Sequence, residues 1–411
     1  MNLENSTDRS KLLILAAVGL LYSAGIAYLL PNLPNQLYGN DFFARWYASR
    51  MLLTSGRSLY DWANAYELAK ITGWHQVYDF RYYYPANLLF FTGPLSFLPY
   101  KLALFIWTVF GLWCLWLSII IFARLLKNDL SVNRLTVLLA LITTSVPVLQ
   151  HTVYAQFNSL VVLALALTYY ALCRRKYFLA GLCAGGMLFK PQVAVITLGV
   201  FLIWTGLARE RRSFWAGLVL IVIPLWAGPE LLEPNWVVTF VQSLSSYPAV
   251  LSVVDRVWNP YQIVSLGLML ITGWSAVRLR RYPAHSIQFN ALLAWTICLT
   301  ALIIPIFGML NIVLMGPVFV IVLNGFAAFY PAYLRWVWFG MIGFFVAGLL
   351  AFVMPLFLNG ATGGMHINAA EVVYRFTMPV VLGLLTWPLI LHPVDIYHPN
   401  SQLAEQLSPV N

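Results

Sequence analysis

One carboxylate stands out in the first polar stretch of the chain. Asp41 follows an apolar run that ends at Leu30, and aromatic residues surround it in the sequence. An Asn and a Gly directly before it, with those aromatic neighbours, would hold it near a membrane interface and partly desolvated. A carboxylate in such a setting can act as a general base. Acids in loops are more often simply solvated, so the residue type leaves both interpretations open.

A lone lysine interrupts the apolar middle of the chain. Lys190 lies between two short apolar runs and directly before Pro191. Short segments interrupted by proline can line a cavity and bring polar groups to membrane depth. Lys190 is therefore either a cation for a phosphate headgroup or a side chain that snorkels to the interface.

The turn at 150–158 is the most polar of the short turns that we expect on the same side as Lys190. Its amides and hydroxyls, Gln156 and Asn158 among them, are of the types that bind sugar hydroxyls. His151 is a candidate for a second acid or base, although a lone histidine without a partner pattern is more often structural. Loop polarity by itself also explains this turn.

The composition determines what surrounds these residues. Of the 411 residues, 61% are hydrophobic and only 9% are charged, whereas soluble domains carry roughly 25% charged residues. So few charges cannot cover a surface that faces water, so lipid must be the solvent. The apolar runs are long and continuous, which favours helices over barrel strands. We therefore expect residues 1–411 to form a single all-α domain of an integral membrane protein.

The apolar runs predict about a dozen membrane spans. The first is Leu12 to Leu30, an uncleaved span rather than a signal peptide. The polar stretch 31–100 would form a first outer loop with interfacial helices, and 86–98 within it is short enough to be re-entrant. Eleven further runs lie near 102–123, 135–149, 159–173, 177–189, 192–208, 214–229, 260–277, 287–306, 309–329, 336–358 and 376–391.

The distribution of basic residues predicts the topology. Of the 24 Lys and Arg, 15 lie before the first span or at every second later junction. The positive-inside rule places these clusters, both termini and the tail 392–411 in the cytoplasm, with 31–100 outside. We expect a multi-pass protein of the cell membrane. The net charge of +10 does not indicate nucleic-acid binding, because the basic residues form short clusters between spans.

Other motifs have simpler explanations. The four cysteines lie in apolar stretches without a CxxC or Cys/His spacing, which argues against a zinc site and a disulfide framework. Gly181 and Gly185 have the GxxxG spacing of closely packed membrane helices. The chain contains no Walker loop in a suitable context, so ATP-driven transport lacks support.

Several of these segments, taken in order, resemble glycosyltransferase family 87 of the GT-C superfamily, whose members are membrane enzymes that use polyprenyl-phosphate sugars. The resemblance covers residues 12–210 well and the second half weakly. It rests on Asp41 to Ala48, Gly56 to Asp61, Tyr83-Tyr84-Pro85, Gly93 to Pro99, Ala155-Gln156-Phe157-Asn158, and Leu179-Ala180-Gly181 followed by Lys190-Pro191.

The chain also departs from the family pattern. Ala86 replaces the usual second proline after Tyr-Pro, and Ala155 replaces the glycine before the glutamine. The family often has a Ser-Pro…His segment where this chain reads Ile304 to Asn311, and a late polar element is reduced to Trp258 to Gln262. The half expected to bind the acceptor is therefore the less well matched one.

The resemblance implies a GT-C-like bundle and transfer of a hexose, with mannose as the expected sugar, from a polyprenyl-phosphate donor to an envelope glycan or glycolipid, with inversion. The position of the family's base corresponds to Asp41. No cofactor is implied, and dependence on a divalent ion is left open. The candidate donor-phosphate ligands are Lys190, Arg45 and Arg81, and the candidate sugar or acceptor ligands are Tyr47, Asp61, Tyr84, His151, Gln156 and Asn158.

Two alternatives remain at this point. A transporter or flippase of lipid-linked sugars would be expected to show internal repeats and ionisable residues in mid-span, whereas the acids of this chain are concentrated in loops. A catalytically inactive GT-C scaffold is the other alternative, because the second half diverges from the family pattern.

Overall fold

The computed structural model describes residues 17–19, 21–26, 28, 40–73, 77–126, 132–245, 260–304, 309–358 and 372–391. Within these ranges the regular secondary structure is helical, and no strand occurs in them. Nine of the 19 residues of the first predicted span, the start of the late polar element and the tail 392–411 lie outside the described residues. The fold class predicted from composition is confirmed as all-helical.

The described part of the segment 40–96 contains three helices: α1, Asn40–Ser55; α2, Trp62–Thr72; and α3, Leu89–Ser96. Short 3₁₀ turns at Val77–Phe80 and Ala86–Leu88 connect α2 to α3.

The local sequence explains where these helices begin and end. Asp41 lies in the first turn of α1, where a negative charge interacts favourably with the helix dipole. Asp61 caps α2 by accepting a hydrogen bond from Ala63 N at 2.8 Å. Gly73 ends α2 in the left-handed conformation, with φ of 67°.

An eight-residue helix such as α3 rises only about 12 Å, so by length it cannot cross a bilayer core of roughly 30 Å. Its position in the membrane stays a prediction.

Six helices form the middle of the chain. Two of them, Val132–Thr143 and Val146–Val153, meet at a bend of 56°, where Ser145 is extended and Pro147 lies in the first turn of the second helix. The six are α4, Tyr100–Leu125; α5, Val132–Thr143; α6, Val146–Val153; α7, Asn158–Cys173; α8, Tyr177–Gly185; and α9, Pro191–Gly206.

Seven further helices follow. Two of them, Ile287–Ile303 and Met315–Phe329, are buried along nearly their whole lengths and form the centre of the bundle. The seven are α10, Ser213–Ala227; α11, Trp236–Ser245; α12, Pro260–Arg278; α13, Ile287–Ile303; α14, Met315–Phe329; α15, Leu334–Leu358; and α16, Met378–Leu391.

Six helical segments of the described chain are long and apolar enough to cross a membrane, or seven if the bent α5–α6 pair is one span. The predicted count of about twelve is therefore not confirmed, because α7, α8, α9 and α13 are shorter than a full span. The six segments are Tyr100–Leu125, Arg209–Leu231, Ile263–Arg281, Asn311–Phe329, Pro331–Ala351 and Val372–Leu391.

Close packing of α8 on α10 accounts for the GxxxG spacing. A Cβ added at Gly181 would lie 1.9 Å from Phe214 O, and one at Gly185 would lie 2.3 Å from a methyl carbon of Ile221. Only glycine permits backbones to approach so closely. The helix-packing interpretation of this motif is confirmed.

Two of the basic clusters meet at one end of the bundle. Arg211 donates to the carbonyl of Arg280 at 2.7 Å, and its guanidinium lies 3.7 Å from the ring centroid of Trp204. The junctions at 209–212 and 278–281 are thus neighbours, as a shared side of the membrane requires. Which side that is stays a prediction.

Candidate active site

Asp41 contacts the polar turn between α6 and α7. Its Oδ2 accepts a hydrogen bond from Nε2 of Gln156, a residue 115 positions later in the chain. Gln156 is buried, whereas Asp41 is partly exposed. The structure therefore joins the two residues that the sequence offered as a base and as a sugar ligand.

Lys190 lies on the other side of the same glutamine. Its Nζ donates to Oε1 of Gln156 at 3.4 Å, to Oδ1 of Asn158 at 2.7 Å and to Oδ1 of Asn311 at 2.8 Å. An ammonium has three N–H donors, and three amide oxygens accept them here. Because Lys190 is only 7% exposed, it does not snorkel to water.

Gln156 is oriented by the charges on either side of it. A primary amide has an acceptor oxygen and a donor nitrogen. The oxygen faces the Lys190 ammonium, and the nitrogen faces the Asp41 carboxylate. This arrangement fixes the donor side of the amide toward Asp41, so the three side chains form one hydrogen-bonded chain from cation to carboxylate.

Arg45 lies one helical turn after Asp41 on α1 and is fully buried. Its Nη2 donates to Ala155 O at 2.8 Å, and its Cζ lies 4.8 Å from the ring centroid of Tyr84 and 5.1 Å from that of Phe157. Its Nε and Nη1 have no hydrogen-bond partner among the described residues. Buried donors without a partner are costly, so this guanidinium is suited to receive an acceptor from a ligand.

Ala155 stands where the family pattern has a glycine, and its backbone conformation shows why a glycine suits this position. Its backbone has φ of 47°, in the left-handed region that glycine adopts without strain. An alanine there costs about 1–2 kcal/mol. The turn is nevertheless held, because Ala155 O accepts from both Arg45 Nη2 and Trp107 Nε1 at 2.8 Å.

Phe157 and Tyr84 form an aromatic wall beside the two cations. The Phe157 ring centroid is 5.2 Å from Lys190 Nζ, close enough for a cation–π contact. Tyr84 packs edge-on against Phe157 with ring centroids 5.3 Å apart. Aromatic rings placed in this way exclude water from the charged groups and strengthen their electrostatic effects.

The net charge of this cluster is positive. With Lys190 in its ammonium form, Arg45 and Lys190 contribute two cations, Asp41 contributes one carboxylate, and the amides of Gln156, Asn158 and Asn311 are neutral. A buried excess of positive charge is unfavourable unless an anion compensates it. The arrangement is thus suited to an anionic group that binds next to a carboxylate.

Tyr47 connects α1 to α2 through Glu67. Its hydroxyl donates to Glu67 Oε2 at 2.5 Å, and Arg57 donates to the same oxygen at 2.8 Å. The hydrogen bond from Arg57, followed by that from Tyr47, holds the pKa of Glu67 below its ordinary value. Burial and the Glu67 contact raise the pKa of Tyr47 to about 12, so its hydroxyl remains a donor. This group of three ties α1 to α2, and sugar binding by Tyr47 stays a prediction.

Three other predicted ligands have structural contacts. Asp61 is exposed and caps α2, which accounts for it without a ligand. The Arg81 guanidinium lies 4.1 Å from the ring centroid of Trp62, the first residue of α2. His151 is buried in α6, and its carbonyl accepts from Gln156 N at 2.9 Å. Ligand roles for these three residues stay predictions.

Asn311 is the site residue that sequence reasoning missed. It lies in a 3₁₀ turn, Met309–Leu314, within the segment that departs from the family's Ser-Pro…His pattern. A signal was present, because an asparagine among apolar residues, on the side predicted to hold Lys190, needs a polar partner when buried.

Among the described residues, no group of three or more His, Cys, Asp and Glu could hold a metal ion.

A family model matches this chain over residues 82–305, just over half of its length, and the model describes glycosyltransferase family 87. The chain belongs to glycosyltransferase family 87. Comparison with curated proteins and with solved structures gave no match. Family membership, together with the apolar helices, identifies a multi-pass membrane glycosyltransferase that acts on a sugar donor and an acceptor.

The extent of the family 87 match differs from that of the motif resemblance. It begins at Tyr82, after Asp41 and Arg45, and it continues beyond 210 to just past the end of α13. Gln156, Asn158 and Lys190 lie inside the matched range. The contact between Asp41 and Gln156 therefore connects a residue outside the match to the matched part of the chain.

Proposed function

We propose that this family 87 protein transfers a hexose, mannose by resemblance, from a polyprenyl-phosphate donor to a glycan or glycolipid acceptor at the outer face of the cell membrane. One observation carries the proposal. The Asp41 carboxylate is linked through Gln156 to Lys190, while Arg45 is buried one helical turn away. A base and two cations thus lie in one site.

Asp41 is the general base in this proposal. It takes the proton of the acceptor hydroxyl while that oxygen attacks the anomeric carbon from the face opposite the phosphate. The bond from the anomeric carbon to the phosphate oxygen breaks, the configuration inverts, and polyprenyl phosphate leaves. Gln156 orients the carboxylate through Oδ2, and a carboxylate has about four lone-pair positions, so accepting from Gln156 does not exhaust its capacity.

The two cations have different parts in the reaction. Charge develops on the leaving phosphate, and preorganised donors stabilise it. Arg45 supplies the direct contact, because its Nε and Nη1 lack partners among the described residues. Lys190, whose donors are engaged by amides, supplies positive charge and holds Gln156 and Asn158 in place. The sugar–phosphate bond stores the driving force, so neither ATP nor a cofactor is required.

The test is direct transfer by the purified protein. Wild type and Asp41→Asn would be reconstituted with radiolabelled polyprenyl-phosphate hexoses and a lipid extract of the cell envelope, with and without EDTA. We expect a labelled product from polyprenyl-phosphate mannose with wild type only. Donor binding without transfer by wild type would favour the inactive scaffold, and movement of intact donor across the bilayer would favour the flippase.

A further inference from the structure

A buried carboxylate connects the segment after α10 to the turn that precedes α2. Glu233 is 5% exposed and follows the 3₁₀ turn Pro229–Leu231 that ends α10. Its Oε1 accepts from Ser58 Oγ at 2.6 Å, and its Oε2 accepts from Leu59 N at 2.8 Å. Hydrogen bonds to carboxylate oxygens are among the stronger ones in proteins. Both of its oxygens therefore hold a turn that is about 175 residues away in sequence.

That turn leads directly to the wall of the candidate active site. Ser58 Oγ accepts from Tyr60 N at 3.2 Å, and the Tyr60 hydroxyl donates to Tyr84 O at 2.8 Å. Tyr84 in turn lies beneath the Arg45 guanidinium. A continuous path of hydrogen bonds and ring contacts thus runs from Glu233 to Arg45.

The other side of Glu233 is anchored by α11. Trp236 is fully buried, and its Nε1 donates to Trp226 O at 3.0 Å. The opposite face of α11 exposes Val237, Val238 and Val241. In a membrane protein, such an apolar face is suited to lipid at the interface. Glu233 therefore connects α11, which is anchored through Trp236, to the turn at Ser58.

We propose that Glu233 is a positioning residue for the family 87 site. It fixes the turn 58–60 and, through Tyr60, holds Tyr84 in place beneath the Arg45 guanidinium. This gives a role to the Gly56–Asp61 motif, which the proposed mechanism does not use. The effect on turnover rests on the proposed function, whereas the structural coupling does not.

Hydrogen exchange measured by mass spectrometry tests the coupling without turnover. The proteins compared would be wild type, Glu233→Ala, Glu233→Gln and Ser58→Ala, with Glu230→Gln as the control, because Glu230 is an exposed carboxylate three residues earlier. Loss of the Glu233 contacts should speed exchange in 57–61 by about 10- to 100-fold. We expect faster exchange in 82–89 as well, with unchanged exchange in α13. A change confined to 57–61, or none, would overturn the proposal.

Turnover gives the second readout. Arg45 contacts charge that grows in the transition state, so its displacement should lower kcat more than it raises KM for the donor. We expect kcat to fall at least about 10-fold in Glu233→Ala. Glu233→Gln should be intermediate, since its amide oxygen still accepts one hydrogen bond, and Glu230→Gln should match wild type. Wild-type kcat in Glu233→Ala would refute positioning, whereas an inactive wild type would refute the proposed function and leave the exchange result to decide.

Discussion

Lys190 Nζ lies 2.8 Å from Asn311 Oδ1, a contact between two residues 121 positions apart in the chain. It joins the break between α8 and α9 to the turn before α14. The contact brings the divergent second half of the chain into the same polar cluster as Asp41. An asparagine in that turn accepts from the lysine, so this half of the chain takes part in the site despite its departure from the family pattern.

Replacement of Asp41 by asparagine tests the base. Asp41→Asn keeps the size and polarity of the side chain but removes the proton acceptor. General-base catalysis typically contributes about 10²- to 10⁴-fold, so we expect turnover to fall at least about 100-fold. Donor binding should persist, because it depends on Arg45, Lys190 and the lipid chain. Single-turnover transfer and equilibrium binding of the labelled donor measure the two quantities separately.

Asp61→Asn is the matched control for that variant. Asparagine caps helices about as well as aspartate, and Asp61 caps α2 from an exposed position. We expect turnover within about threefold of wild type, since cap replacements of this kind change stability only slightly. An inactive Asp61→Asn beside an active Asp41→Asn would mean that the wrong carboxylate has been named.

Lys190 variants separate its charge from its hydrogen bonds. Lys190→Ala leaves the buried amide oxygens of Asn158 and Asn311 without their donor. Hydrogen bonds to charged groups contribute about 1.5–3 kcal/mol, so we expect kcat/KM for the donor to fall roughly 10- to 150-fold. Lys190→Arg should keep part of the activity, because it retains the charge. It should not keep all of it, because the buried space fits the larger guanidinium poorly. Normal donor kinetics in Lys190→Ala would remove Lys190 from the site.

Asn311 should act through Lys190. Asn311→Ala removes one of three amide acceptors, so we expect a smaller loss of kcat/KM than in Lys190→Ala. The double variant should lose less than the product of the two single effects, because residues in one hydrogen-bond network are not additive. Initial rates for the four proteins complete the cycle. Strict additivity would show that the two side chains act independently.

Arg45→Lys tests the planar guanidinium. Lysine keeps the charge but cannot present two parallel donors to a phosphate. We expect donor affinity to fall about 10-fold or more. Arg50→Lys is the control, because Arg50 lies on the same helix but packs over Trp46, with its Cζ 5.4 Å from that ring centroid. Equal losses in both variants would indicate a general effect on α1 instead of a phosphate contact.

Cysteine labelling tests the predicted sidedness. Tyr66 is exposed on α2, within the segment 31–100 that is predicted to lie outside, and position 128 lies in a basic junction outside the described residues. On intact cells, a membrane-impermeant maleimide should label Tyr66→Cys at once and Asn128→Cys only after permeabilisation. The unmodified chain supplies the background from its four native cysteines. Labelling of position 128 from outside intact cells would show that the predicted topology is wrong.

Local sequence was sufficient for the membrane class, the helical fold and the family. Hydrophobic content, apolar run length and glycine spacing are properties of neighbouring residues, so they can be recognised without a structure. The same holds for Asp41 and Lys190, whose charges are conspicuous in apolar surroundings. Run length alone did not decide the number of full spans, and the predicted count of about twelve is not confirmed, because α7, α8, α9 and α13 are apolar but shorter than a bilayer crossing.

Only the tertiary structure decided which of these residues meet. Gln156 lies between Asp41 and Lys190, Asn311 accepts from Lys190, and Glu233 holds the turn at Ser58, each through contacts between distant parts of the chain. Such contacts depend on how helices pack and on where each side chain points, which a linear pattern does not specify. An amide among apolar residues indicates that it needs a partner, but helix packing determines which partner it has.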